Sequence, residues 1–249
     1  MIDPSGYVPA VVAASAGLLR SCGHYVFVSS VSVYADLSTA SHEESPVAAL
    51  GDASADELAE DFSNYGALKA LCEQAVWEVF RERILIVRPG LIAGPHDPTG
   101  RFTYWAHRLA RGGEILAPGP PGRRAQFVDV RDLAEWIVGC VERRVTGVFN
   151  ATHEGVAWGE LLAGAHVTWV PDEYLTEREV GEWMELPLWI ADPAWAGTHE
   201  TRVSRAVTEG LRFRPVADTL AGAAEAPAVE AVGLTPEREA ELLAGWRAR

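Results

Sequence analysis

The chain has 249 residues, of which 48% are hydrophobic and 22% are charged, and its mean hydropathy is +0.01. This composition excludes a mainly disordered chain, and the longest apolar run, at residues 8–19, is shorter than the roughly 20 residues of a membrane span. Acidic residues outnumber basic ones by 35 to 21, so the net charge of -14 repels phosphate backbones and nucleic-acid binding is not expected.

The cysteines and histidines do not form the pattern of a cross-linked or metal-bound chain. Cys22, Cys72 and Cys140 are far apart, which fits neither a disulfide framework nor a paired-cysteine metal site. The seven histidines have no close ligand spacing, so no metal is expected. The first ten residues contain no lysine or arginine and therefore no secretory signal. These features together predict a cytoplasmic location.

Apolar strand patterns alternate with helical patterns through the first 150 residues. In chain order, the predicted elements are a helix at 8–19, a strand at 24–29, a polar loop at 36–61, a helix at 64–81, a strand at 84–88, a helix at 104–111, a proline-rich loop and edge strand at 112–122, a strand at 126–130, a helix at 131–142 and a strand at 147–150. This alternation favours a parallel sheet in an α/β layer fold.

The character of the chain changes after residue 150. Five of the nine tryptophans lie close together among short mixed elements and acidic turns: Trp158, Trp169, Trp183, Trp189 and Trp195. The alanine-rich stretch at 221–232 is typical of a loose linker, and a last helix is predicted at 236–246. We expect most of these tryptophans to form the core of a C-terminal lobe.

The only lysine of the chain, Lys69, lies four residues after Tyr65, whereas the other 20 basic residues are arginines. On a helix this spacing places both side chains on one face. An ammonium beside a phenol favours the phenolate, so we expect Lys69 to lower the pKa of Tyr65 and make it a general acid or base. Ser30 and Arg88 fall at strand ends, where ligands bind in open α/β sheets.

Three segments together resemble the extended short-chain dehydrogenase/reductase family, in its NAD-dependent epimerase/dehydratase branch. They are Val28-Ser-Ser-Val-Ser-Val-Tyr34, Tyr65-Gly-Ala-Leu-Lys69, and Arg88-Pro-Gly followed by Gly94-Pro95. The resemblance implies an α/β fold, with a Rossmann-like parallel sheet that lacks its first strands and a smaller C-terminal substrate lobe. The expected division is a partial Rossmann-like catalytic core at 1–157 and the substrate lobe at 158–249.

The resemblance also implies roles for individual residues. It makes Tyr65 the acid/base, Lys69 its partner and the holder of the nicotinamide ribose, and Ser30 the group that orients the substrate oxygen. Residues expected to contact the cofactor are Ser29, Tyr65, Lys69, Pro89, Gly90 and Ile92, and those expected to contact substrate are Ser30, Val31, Arg88, His96 and Arg101. Asp129 and Asp132 lie in a strand-to-helix turn of the family and are expected to be structural.

The cofactor implied is NAD or NADP, but the glycine motif GxxGxxG that opens the family's dinucleotide site is absent from residues 1–249. Residues 1–7 instead resemble the end of the family's fourth strand. Three explanations stay open: a shortened chain or misassigned start, a member repurposed to work without a dinucleotide, or a site completed by a partner, for example in a homodimer.

The resemblance therefore predicts NAD(P)-dependent oxidoreductase, epimerase or dehydratase chemistry at a hydroxyl or carbonyl carbon of a small-molecule substrate. The missing glycine motif predicts that this activity is impaired unless the cofactor site is completed. The alternative is a cofactor-free or non-catalytic small-molecule binding protein on the same scaffold.

Overall fold

The computed structural model describes residues 1–249, and its centre is a parallel sheet of four strands. The strands lie in the order β1 (Ile2–Asp3), β2 (Tyr25–Val28), β3 (Ile84–Pro89) and β8 (Gly147–Ala151). Strands β4 to β7 lie between β3 and β8 in the chain and outside this sheet. Val26 pairs with Leu85, and Leu85 pairs with Gly147, so the three longer strands share one register. β1 forms one edge of this sheet.

Helices cover both faces of the sheet, which explains why β3 is apolar along most of its length. On one face α1 (Pro9–Leu18), through Val12, and α2 (Tyr65–Phe80) pack on Phe27 and Ile86 of the sheet. On the other face α4 (Val130–Arg143) packs through Trp136 and Ile137 on Val26, Leu85 and Val87. This layered arrangement confirms the predicted Rossmann-like α/β class.

The remaining elements build a smaller lobe beside the sheet. Its helices are α3 (Arg101–Arg111), α5 (Trp158–Leu161), α6 (Asp172–Glu177), α8 (Val216–Ala223) and α9 (Pro236–Arg247). Helix α7 (Ser204–Thr208) instead packs through Ala206 on the main sheet. Its strands form three pairs, β4 (Leu91–Ala93) with β7 (Phe127–Asp129), β5 (Glu114–Pro118) with β10 (His166–Val170), and β6 (Arg124–Ala125) with β9 (Val156–Ala157). Short 3-10 helices occupy Val31–Val33, Arg81–Arg83 and Pro193–His199.

The core of this lobe contains residues from both sides of the predicted boundary at 157. Trp105 and Phe127 pack in one cluster with Trp158 and Trp189. The division into domains at 1–157 and 158–249 therefore stays a prediction, and the hydrophobic core of the smaller lobe contains residues from both predicted domains. Trp195 is exposed and does not contribute to that core.

Two local expectations differ from the structure. Helix α3 begins at Arg101 and not at residue 104, because Gly100, in the left-handed region at φ 71°, turns the chain into the helix one turn earlier. The predicted linker at 221–232 begins inside α8, whose Gly222 and Ala223 are buried. The longest helix, α2, has 16 residues, and no helix combines the length and apolar character needed to cross a membrane.

Candidate active site

The carboxyl ends of three neighbouring strands bring the predicted site residues to one edge of the sheet. Ser29 and Ser30 follow β2, Gly90 follows β3, and Thr152 follows β8. In open α/β sheets ligands bind outside these ends. The location agrees with the expectation from the sequence, which did not include Thr152.

Ser30 is held in place by the short 3-10 helix that follows it. Its Oγ accepts a hydrogen bond from the backbone N–H of Ser32 at 3.1 Å and donates one to the Ser32 Oγ at 3.1 Å. The start of α2 packs closely on this turn, since a Cβ on Gly66 would lie only 2.1 Å from the Ser32 carbonyl oxygen. The glycine therefore permits the approach that brings Tyr65 next to Ser30.

Lys69 is buried, with 2% of its surface exposed. Its Nζ donates to the carbonyl oxygens of Gly6 at 2.7 Å and Val28 at 2.8 Å, and lies 4.4 Å from the centroid of the Phe27 ring. An ammonium has three N–H donors, so one remains uncommitted. Burial disfavours the charged form and lowers the pKa of Lys69 to about 8.

The electrostatics of Tyr65 differ from the expectation. Burial raises the pKa of its phenol, and the polar Ser30 side chain nearby lowers that pKa in part. The expected lowering by Lys69 does not occur, because the ammonium is directed at the two carbonyl oxygens and not at the phenol. In this geometry the Tyr65 phenol is protonated at neutral pH and is suited to donate a proton.

Two buried hydroxyls at the strand ends have no hydrogen-bond partner, Ser29 Oγ and Thr152 Oγ1. Gly90 packs closely on Thr152, since a Cβ there would come within 2.6 Å of Thr152 Oγ1. Unpartnered buried hydroxyls are costly unless a ligand satisfies them. Together with the spare Lys69 donor, these groups fit the hydroxyl-rich ribose and amide of a nicotinamide nucleotide. Pro89 is buried, and Ile92 is half-buried nearby in β4.

Arg88, expected to contact substrate, has a different set of partners in the structure. Its Nε and Nη2 donate to the Glu73 carboxylate at 2.9 and 2.6 Å, and its Nη1 donates to Tyr34 Oη at 3.1 Å. Arg88 and Glu73 are both buried. Because all three guanidinium nitrogens are engaged, Arg88 holds α2 against β3 and positions the helix that carries Tyr65 and Lys69.

Glu73 was not identified from the sequence, although a signal exists. It lies four residues after Lys69, on the same face of α2, where a charged residue among apolar neighbours needs a buried partner. Its partner Arg88 follows an apolar strand, so the two charges mark the contact between helix and sheet.

The remaining substrate candidates lie at different depths. Val31 begins the 3-10 helix after Ser30 and is half-buried, and His96 is exposed on a loop with φ 63°. Arg101 is half-buried, with its guanidinium 5.5 Å from the Trp183 ring and its Nη2 3.6 Å from Met184 Sδ. Its Nε is buried without a partner, and no hydrogen bond joins His96 or Arg101 to Tyr65.

The two aspartates of the later turn have the structural role predicted for them. Asp129 caps α4 by accepting a hydrogen bond from the backbone N–H of Arg131 at 2.8 Å. Asp132 accepts one from the backbone N–H of Arg214 at 2.9 Å. Both carboxylates therefore stabilise the turn and the segment that packs on α4.

Solved structures with the same fold include enzymes in complex with NAD or NADP. UDP-glucuronic acid 4-epimerase from Bacillus cereus, in complex with NAD, is 17% identical with a TM-score of 0.54, over 85% of this chain and 64% of the epimerase. dTDP-4-dehydrorhamnose reductase from Bacillus anthracis str. Ames, in complex with NADP, is 18% identical with a TM-score of 0.55, over 84% of this chain and 68% of the reductase.

A functionally unknown conserved protein from Silicibacter pomeroyi DSS is 20% identical with a TM-score of 0.55, over 90% of this chain and 76% of that chain. At these identities the similarity establishes the fold. The chain spans about two thirds of the length of the two enzymes, and no curated protein matches it in sequence.

The sequence profile of the NAD dependent epimerase/dehydratase family matches residues 4–151, which include strands β2, β3 and β8 and the residues Ser30, Tyr65 and Lys69. The match covers more than half of the chain. The chain belongs to the NAD dependent epimerase/dehydratase family.

Proposed function

We propose that the protein carries out NAD(P)-dependent oxidoreductase, epimerase or dehydratase chemistry at a hydroxyl or carbonyl carbon, through Ser30, Tyr65 and Lys69. One observation carries the proposal. The only lysine of the chain is buried at the strand ends with one spare donor, on the helix that also presents Tyr65 beside Ser30. Burying a charged lysine is unfavourable, and such buried ionisable groups are typical of functional sites, which explains why a lysine and not an arginine occupies this position.

The group implied by this chemistry is a nicotinamide nucleotide, which when bound transfers a hydride to or from the substrate carbon. Ser29, Gly90 and Lys69 would hold its nicotinamide end, with Pro89 and Ile92 lining the same region. Ser29 Oγ and the spare Lys69 donor are the groups that gain hydrogen bonds on binding. This assignment of cofactor residues is part of the proposal.

Tyr65 and Ser30 act on the substrate oxygen. With its pKa raised by burial, the Tyr65 phenol stays protonated at neutral pH and donates its proton to a carbonyl oxygen; in the reverse direction the phenolate accepts the hydroxyl proton. Ser30 Oγ donates a hydrogen bond to the same oxygen in place of its bond to Ser32. The two groups thereby orient the oxygen before proton transfer.

For the substrate we propose a small molecule, and sugar nucleotides are the class to test first. The similar solved structures are named as enzymes of UDP-glucuronic acid and dTDP-4-dehydrorhamnose. Arg101, whose guanidinium has no carboxylate partner, is suited to an anionic group, and His96 and Val31 are further substrate candidates. We also propose a cytoplasmic location, which the free thiols support. A homodimer is proposed as well, and the exposed apolar residues Val11 and Leu18 of α1 support it.

The proposal is tested by turnover of a panel of UDP- and dTDP-sugars with NAD(H) and NADP(H), comparing the wild type with Tyr65→Phe. Loss of the phenol proton should reduce turnover by about 100-fold or more while the melting temperature is retained. Tyr104→Phe is the matched control, since Tyr104 has a buried hydroxyl without a partner in the smaller lobe. Equal turnover in Tyr65→Phe would contradict the assignment. Stabilisation by sugar nucleotides without any turnover would instead support the cofactor-free binding protein.

A further inference from the structure

The turn between β1 and α1 places a third large side chain at the site. Tyr7 is 46% exposed, yet its ring packs against both Tyr65 and Lys69. Its ring centroid lies 6.2 Å from that of Tyr65 and 5.3 Å from Lys69 Nζ. No role was expected for this residue from the sequence.

The backbone of the same turn fixes the lysine. Gly6, directly before Tyr7, accepts a hydrogen bond from Lys69 Nζ at 2.7 Å. Gly6 is buried against β2, because a Cβ there would lie 2.8 Å from the Phe27 ring. The Tyr7 and Phe27 rings both lie near the ammonium, and Lys69 as a whole is only 2% exposed, so these rings and the carbonyl oxygens keep water away from it.

We propose that Tyr7 is a fourth residue of the site, a positioning residue whose ring encloses the Lys69 ammonium and lies against the ring of Tyr65. The inference rests on the proposed function for its meaning in catalysis. An enclosed ammonium keeps a single direction for its spare donor, and the neighbouring Tyr7 disfavours the phenolate form of Tyr65. Both effects favour Tyr65 as a proton donor.

The charges around the site agree with this role. For Tyr65, burial is the main cause of the raised pKa, Ser30 opposes it, and repulsion from Tyr7 adds to it. For Lys69, burial is again the main effect, and Cys72, Glu73 and Asp3 partly oppose it by favouring the charged form. Tyr7 is the one ionisable neighbour of Tyr65 that contributes to its shift.

Two variants separate the ring of Tyr7 from its hydroxyl. Tyr7→Phe keeps the ring and removes the second phenol, so the pKa of Tyr65 should move down while Lys69 stays enclosed. Tyr7→Ala removes the ring, so acetic anhydride should acylate Lys69 severalfold faster than in the wild type. Trp77→Ala is the matched control, since Trp77 is similarly exposed (41%) on the helix that carries Lys69 and should change neither quantity.

The pKa of Tyr65 and the acylation rate of Lys69 can each be assigned to a single residue. The chain has one lysine, so a ¹³Cε-lysine label gives one side-chain signal, whose titration supplies the unprotonated fraction used to correct the acylation rate. Peptide mapping separates Lys69 from the α-amino group. Among the six ¹³Cζ-tyrosine signals, that of Tyr65 is the one lost in Tyr65→Phe.

An unchanged Tyr65 titration in Tyr7→Phe, or an unchanged corrected acylation rate of Lys69 in Tyr7→Ala, would overturn the proposal. Neither readout requires turnover. Failure of the Tyr7 inference therefore leaves the proposed function intact, and failure of the proposed function in the Tyr65→Phe assay leaves the Tyr7 result intact.

Discussion

Burial determines the chemistry of Lys69 more strongly than its neighbour in the sequence does. The spacing of Tyr65 and Lys69 correctly predicts that they share a helix face, but not the direction of the ammonium, which depends on the carbonyl oxygens of Gly6 and Val28. Those acceptors come from other elements and have no signature in the sequence. The two carbonyls hold the ammonium, while the loss of water around it lowers the pKa of Lys69 to about 8.

Lys69→Met tests this burial through the pH dependence of stability. In the unfolded chain lysine has a pKa near 10.5, so between about pH 8 and 10.5 the unfolded state binds more protons than the folded state. The penalty for burying the charge is full below pH 8 and disappears as pH rises through this window. We expect the free energy of unfolding of the wild type, relative to Lys69→Met, to rise by about 2 kcal/mol between pH 7.5 and 9.5.

Chemical denaturation of the two proteins at matched pH values measures this difference, and the subtraction removes the titration of the tyrosines and cysteines common to both. A flat difference across the window would mean that the lysine is solvated in the folded protein.

The junction between α2 and the 3-10 helix Val31–Val33 decides how closely Tyr65 approaches Ser30. Gly66 has no Cβ, and the Ser32 carbonyl oxygen occupies the position that a Cβ would need, at a separation of 2.1 Å. Arg88 and Glu73 secure the same helix further along, through their buried ion pair. One small residue and one ion pair thus fix the helix that carries the two site residues.

Gly66→Ala is therefore expected to destabilise the fold by about 1–3 kcal/mol, the usual cost of overpacking, and to move Tyr65 away from Ser30. Gly17→Ala is the control, because a Cβ on Gly17, also in a helix, meets nothing within 4 Å. That control should be neutral or stabilising by up to about 1 kcal/mol, since alanine is the better helix former. Thermal and denaturant unfolding compare the pair, and equal stability of the two variants would contradict the proposed close contact.

Across the whole molecule, the sheet could be predicted from the sequence better than the smaller lobe. The strands and helices of the first 150 residues have local apolar periods, and the strand ends follow from them. The lobe depends on long-range contacts: β5 pairs with β10, and Glu239 on α9 accepts from Arg108 Nε at 2.8 Å and from the backbone N–H of Leu116 at 3.1 Å. Such partners, more than 120 residues apart for Glu239, leave no local pattern.

The same distinction explains the outcome for the site. Ser30, Tyr65 and Lys69 belong to short motifs, so the sequence predicts them as site residues, and the structure places them at one edge of the sheet. Arg88 belongs to a motif as well, but its engagement with Glu73 depends on how α2 lies on β3. Thr152 and Tyr7 have no motif of their own and are identified only by their neighbours in the folded chain, Gly90 for Thr152 and Tyr65 for Tyr7.

The most direct test of the proposed function follows the single ¹³Cε-lysine signal while NADH or NADPH is added to the folded protein. If Lys69 holds the nicotinamide ribose, its signal should shift saturably, and adenosine monophosphate, which lacks the nicotinamide half, should leave the signal in place. A Lys69 signal that titrates near pH 8, yet does not move with either dinucleotide at millimolar concentration, would contradict the nicotinamide site at Ser30, Tyr65 and Lys69.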